Sequence, residues 1–309
     1  MEQRKTGIGF LLMALLGLYP ILGCGQHVKN VPEAFEAISS EPKLIFLSNE
    51  IKVPSEGGHL QGVQVIVQDG MEKLLISGSS LTTAYVLQLD LATQKADTLI
   101  SLMHEPFRHA GGFQVSEPYL AVGMEDNVAK TTSKVCVYSY PDARLYKAQP
   151  NVTITREGEA KRQTAGATGI VARDQGYLIV VGNWDSRNWD FYHIDPKQKE
   201  QKMLKSFAAP DHWAGYQAIN LIRDNEAIYA IGFYKKELVG MADLILVSRL
   251  ETFEPIMEKV STKTFNCNNE VDFGAAAGLQ VDKEGKLHIW GTQRDALKQI
   301  AVNKFSQQE

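Results

Sequence analysis

The chain has almost none of the features that would name a chemistry outright. Cysteine is scarce: Cys24, Cys136 and Cys267 are the only 3 in 309 residues, which excludes a disulfide framework. There is no basic excess either. Lys and Arg number 32 against 36 Asp and Glu, a net charge of -4. A nucleic-acid surface normally needs a basic face, so that class of partner is set aside. Beyond the N-terminus no apolar run approaches the ~20 residues of a spanning helix, which excludes a multi-span membrane protein. Sustained helical periodicity is missing after residue 40, so a helical bundle is excluded as well. A Gly-x-Ser-x-Gly elbow, a His-Glu-x-x-His pair and a phosphate loop are all absent, and no motif calls for a cofactor. What remains is an ordinary globular composition, 44% apolar and 22% charged. Its length allows two domains or one large β or α/β-barrel domain.

The first two dozen residues differ from the rest. Arg4 and Lys5 are followed by an uncharged run from Gly7 to Leu22, with Phe10 to Leu16 as its apolar centre. That run is short for a membrane span and suits an export signal. It ends in Ile21-Leu22-Gly23-Cys24, which resembles the lipobox of bacterial lipoproteins. The resemblance implies cleavage before Cys24, a lipid on its sulfur and a cell-envelope location held by that lipid. Gly25 rather than Asp as the second mature residue implies the outer membrane. The expected organisation is a signal peptide over 1–23, a tether over 24–41 and one domain over 42–309.

Faint repeats run through that domain. Five phrases align: Gly62-Val63-Gln64, Gly112-Phe113-Gln114, Gly169-Ile170-Val171, Gly215-Tyr216-Gln217 and Gly278-Leu279-Gln280. Each is followed by a polar turn and an apolar run ending in Gly, as in Leu178-Ile179-Val180-Val181-Gly182. A third run follows, and in the first four units a fourth. The runs are short, rich in Val, Ile, Tyr and Phe, and bounded by Gly, Asp, Asn and Pro, so they read as strands. Four strands recurring every ~45–60 residues resemble a five-bladed β-propeller. The expected fold is all-β, with four-stranded antiparallel blades. The fifth unit lacks a last strand, and Lys43 to Ser48 lacks a partner. The N-terminal strand is therefore expected to close the ring, which removes exposed edges. A pair of β-sandwiches is the competing fold.

The propeller resemblance implies that the loops before each first strand share a face with the loops between second and third strands. That face carries His59, His109, His212, Glu125, Asn183, Trp184, Asp185, Arg187, Trp189 and Arg294, the candidate ligand-binding residues. The three histidines each sit three residues before a repeat glycine. Three imidazoles can bind metal or transfer protons, but a recurring residue more often ties blades together through a buried hydrogen bond. The axis is also wide for zinc–nitrogen bonds of ~2.0–2.1 Å, so no metal is assigned. Trp184 and Trp189, with the amide, acid and Arg187 between them, suit either a sugar ring or inter-blade packing. Arg162, Arg187 or Arg294 could hold an acidic ligand. Gln64, Gln114, Gln217 and Gln280 are expected to line the axial channel.

Five-bladed propellers include glycoside hydrolases with paired carboxylates, whose first catalytic Asp lies early in the first inner strand. Here that strand reads Gln61-Gly62-Val63-Gln64 and has no acid. The sequence therefore favours a non-catalytic, lipid-anchored binding or scaffold protein for a glycan, peptide or envelope partner, with no catalytic residue assigned. A polysaccharide hydrolase or lyase is the alternative, using Glu125 with Asp185 or Glu270 on the same face.

Overall fold

The computed structural model describes residues 26–54, 57–140, 149–252 and 256–308. The signal region and Cys24 lie outside the described residues. One short helix, α1 (Val31–Glu36), precedes strand β1 (Lys43–Ser48). The remaining strands fall into successive antiparallel runs. The first is β2 (Leu60–Gln68), β3 (Met71–Ser79), β4 (Thr83–Asp90) and β5 (Lys95–His104). The second is β6 (His109–Ser116), β7 (Tyr119–Glu125), β8 (Thr132–Ser139) and β9 (Val152–Glu157). The third is β10 (Ala167–Ala172), β11 (Tyr177–Gly182), β12 (Asn188–Asp195) and β13 (Glu200–Ala208). The fourth is β14 (Ala218–Arg223), β15 (Ile228–Lys236), β16 (Val239–Ser248) and β17 (Ile256–Phe265). The last is β18 (Val271–Val281), β19 (Leu287–Gln293) and β20 (Gln299–Ser306), and β1 pairs antiparallel on β20 with Lys43 opposite Lys304.

The fold is all-β, but the sheets are not separate groups of four. The hydrogen-bonded strands form a closed set of eight, a sheet of eight and a sheet of four. Single parallel pairs between neighbouring runs cause the merging: Ala277 with Gly62, Ala167 with Gly112, and Ser48 with Lys95. Two of these sit at repeat glycines, where inner strands approach too closely for a side chain. A Cβ on Gly112 would lie 2.9 Å from the Ala218 Cα, and one on Gly278 would collide with the Val63 carbonyl. The Gly-apolar-Gln phrase thus marks where inner strands come into close contact.

Gln64 and Gln114 close the axis rather than lining an open channel, whereas Gln217 lines the cavity at one end and Gln280 donates to Glu72 and accepts from the Trp290 indole. Gln64 donates to Asn220 Oδ1 (3.0 Å) and accepts from the Val115 N–H (3.1 Å). Gln114 donates to the Leu221 carbonyl (2.6 Å) and accepts from the Ile170 and Leu221 N–H groups. Asn220 accepts from the Leu279 N–H (2.9 Å). All three amides are essentially inaccessible. Buried amides must be paired, and these pair both with neighbouring runs and across the ring, Gln64 with Asn220 and Gln114 with Leu221.

The segment expected to be a tether packs into the ring from Gln26 onward. Gln26 donates to the Val115 carbonyl (2.9 Å) and its own carbonyl accepts from the Arg223 N–H (2.8 Å). One residue therefore spans β6 and β14 at their turn-side ends. Asn30 caps α1 by accepting from the Glu33 N–H (3.1 Å), as a helix N-terminus requires. Val31, Ala34 and Phe35 enter a cluster with Phe233, Phe265, Phe273 and Phe305, wedged between the last two strand groups. Burying each such side chain contributes about 1.5–3 kcal/mol.

Candidate active site

The inner strands begin on one face, and the side chains at their beginnings meet in a cavity of about 270 Å³. His59 arrives from the β1–β2 loop, Gln61 from β2, His109 from the first position of β6, and Glu125 from the last position of β7. Trp184 and Asp185 come from the β11–β12 loop, and Arg294 follows β19. Gly166, Asn183, Tyr216, Gln217 and Gly274 complete the lining.

At its base is an imidazole backed by a buried carboxylate. His109 and Glu125 are cross-strand partners, with Nδ1 and Oε1 3.1 Å apart. The angle falls short of a straight hydrogen bond, and neither atom has another partner. Glu125 is wholly inaccessible. Its other oxygen accepts from the Ala165 N–H (2.6 Å). With Nδ1–H directed to Glu125, the His109 Nε2 lone pair faces the cavity. There it lies 3.0 Å from Gln61 Nε2, which is also 3.0 Å from His59 Nε2. His59 Nδ1 lies 3.1 Å from the Leu60 carbonyl. Gln61 Nε2 is also 2.7 Å from His59 Nδ1, and with its amide donating to His109 Nε2 the His109 ring is the Nδ1–H tautomer. Burial holds the His59 pKa down to about 4, and the nearby charge of Arg294 pushes the same way. His59 is therefore a neutral imidazole at physiological pH.

Two charged side chains at the mouth are exposed and have no ion pair among the described residues: Asp185 and Arg294. Asp185 sits in a single 3-10 turn, Trp184–Ser186, at φ 62. Asp tolerates that left-handed conformation better than most residues, and it projects the carboxylate from the loop. The Trp184 ring is 36% exposed, and Lys130 Nζ stands 3.7 Å from its centroid. The result is an aromatic face at the mouth, an acid and a base-type imidazole within, and one unpaired guanidinium.

Other residues expected on this face have structural work. Trp189 is fully buried, donates to the Ser186 carbonyl (2.8 Å) and packs on Trp213 and Tyr216. Arg187 ties the next loop down through the carbonyls of Pro210, Trp213 and Ala214. Asn183 lines the cavity, but its amide joins the Lys161 carbonyl and the Asn188 N–H. Arg162 is committed to Asp190 (2.6 Å). Glu270 is exposed and outside the cavity lining. His212 is exposed and does not join the other two histidines. The reason is register: Gly215 precedes β14, and Ala218 occupies the contact position that glycine fills elsewhere. Among the described residues no group of three or more His, Cys, Asp or Glu is arranged to hold a metal ion. Gln61 was not singled out by the sequence reading. Its signal is a polar residue directly before a repeat glycine, at the start of a strand buried on both faces.

In fold, the chain matches glycoside hydrolase propellers. It aligns with the GH43 endo-arabinanase from Bacillus licheniformis at 11% identity and a TM-score of 0.53, covering 81% of this chain and 95% of that one. It aligns with the catalytic domain of the Coprinopsis cinerea GH62 α-L-arabinofuranosidase at 8% identity and a TM-score of 0.54, covering 85% and 98%. No protein-family model and no curated protein matches the sequence. At these identities the likeness is one of fold. These matches nevertheless run against the expected non-catalytic binding or scaffold role, since both named structures are glycoside hydrolases. The expectation of a binding role rests on the lipobox, the closed ring and the absence of catalytic motifs, among them an acid in β2. That absence removes one arrangement of catalytic acids and leaves the others open.

Proposed function

We propose that this protein cleaves polysaccharide chains, as a glycoside hydrolase or lyase, in the cavity on one face of a five-bladed ring of four-stranded blades. The observation that carries the reading is the cavity itself. It combines an exposed aromatic ring, an unpaired carboxylate at Asp185 and a buried carboxylate-backed imidazole at His109. Trp184 suits the apolar face of a sugar, and Asp185 suits its hydroxyls. The kinship in fold with an arabinanase and an arabinofuranosidase supports the class of reaction. Incubation with a panel of neutral and acidic polysaccharides tests it: release of new reducing ends is expected from at least one. A panel left wholly intact by folded protein refutes the reading.

The same proposal places the enzyme at the outer membrane, held by a lipid on Cys24. The support is the Ile21-Leu22-Gly23-Cys24 sequence. Replacing Cys24 with Ser is expected to release the protein from the membrane fraction. Continued fractionation with membranes argues against lipid anchoring.

A further inference from the structure

Hydrolysis of a glycosidic bond by carboxylates needs two of them in reach of the sugar, one to protonate the leaving oxygen and one to act on water or carbon. Among the described residues, the cavity lining offers only one. Asp185 is exposed, whereas Glu125 is sealed behind His109 and fixed by the Ala165 N–H. What the cavity offers instead is an imidazole whose Nε2 lone pair is held only by the neutral Gln61 amide, which substrate can displace, a carboxylate placed to stabilise that ring once protonated, and a guanidinium with no ion pair among the described residues. These are the parts required to remove a proton beside a carboxylate group. The carboxylate must be neutralised so that the adjacent C–H becomes acidic, which is a task for Arg. The base must then take the proton, which a positioned imidazole does.

Resting on the glycan-cleaving reading, we infer that the substrate is a uronate-bearing polysaccharide and that cleavage is a β-elimination. His109 is the catalytic base, Arg294 the carboxylate receptor and Glu125 the positioning residue. The step balances within the site. His109 Nε2 takes the C5 proton of the uronate, the C4–O bond breaks and a C4=C5 double bond forms. The protonated ring then returns its proton to the departing oxygen. Water is not consumed, and no oxidant, metal or cofactor is needed. His59 remains neutral throughout. With Gln61 it frames the ring, and Arg294 is a cation at the mouth with no ion pair among the described residues.

The test offers the folded chain polygalacturonate, alginate and a glycosaminoglycan beside neutral arabinan and galactan. Reducing ends and the ultraviolet absorbance of an unsaturated uronate are read together. Absorbance appearing in step with new ends on an acidic glycan is the expected result. New ends without absorbance overturn elimination while leaving a hydrolase standing. No cleavage of any glycan overturns both. His109→Ala is expected to lose roughly 10²–10⁴-fold in kcat, the usual worth of a general base, with partial recovery on adding imidazole. Arg294→Gln alters an exposed residue, so the fold is kept, and kcat/KM should fall on the acidic glycan. Glu125→Gln is expected to lower kcat at nearly constant KM without rescue by imidazole. Unchanged elimination in both His109→Ala and Arg294→Gln would overturn the assignment.

Discussion

Gly278 and His59 show how single positions constrain this ring in different ways. A methyl at Gly278 would meet the Val63 carbonyl, a backbone atom that cannot step aside. Gly278→Ala is therefore expected to cost at least ~3 kcal/mol, within the range of overpacked core positions. Gly285 is the control. It has φ 77 but open space where a Cβ would go, so Gly285→Ala should cost only the ~1–2 kcal/mol of left-handed backbone. Urea denaturation of the two variants checks the difference. At His59 the constraint is protonation. Burial holds its pKa at about 4 in the folded chain, against 6.5 for the free side chain. Between those values the unfolded chain binds a proton that the folded chain refuses. The contribution to stability is thus complete above about pH 6.5 and is lost as pH falls through about 4. Thermal melts across that window should show His59→Gln losing less stability on acidification than the native chain.

At the scale of elements, α1 and the inner strands show what could be read from the sequence. Strand positions were legible because repeat glycines mark real collisions between neighbours. Gly62, Gly112, Gly169 and Gly278 all lie within inner strands. The fourth phrase misled, since Gly215 lies in the loop before β14, and the error carried His212 onto the candidate site. His59, His109, Glu125, Trp184, Asp185 and Arg294 line one cavity, because strand order alone decides which loops are neighbours. Their division into cavity residues and loop ties was not legible. It depends on side-chain partners such as Pro210 and Trp213 for Arg187, which periodicity does not report. Nor did the sequence reveal that the segment after Cys24 is part of the core. Phe35 is fully buried, and Phe35→Ala is expected to cost about 3–5 kcal/mol. The denaturant midpoint should fall at a constant m-value, with glycan cleavage retained below the new midpoint.

At the scale of the molecule, the merged sheets and the β1–β20 pairing join the first and last strands into one ring. The cavity opens at one end of its axis. The Gln64, Gln114 and Asn220 amides cross the middle, and Gln26 occupies the far end. The molecule is accordingly a cup and not a pipe. A polymer cannot be threaded through it, and whatever enters must leave by the same mouth. A long glycan has to offer a chain end or lie across the rim, and must let go after each cut unless the rim itself holds it. Early digests of a long chain should therefore show scattered or terminal cuts followed by release, not a ladder of products from a single captured strand.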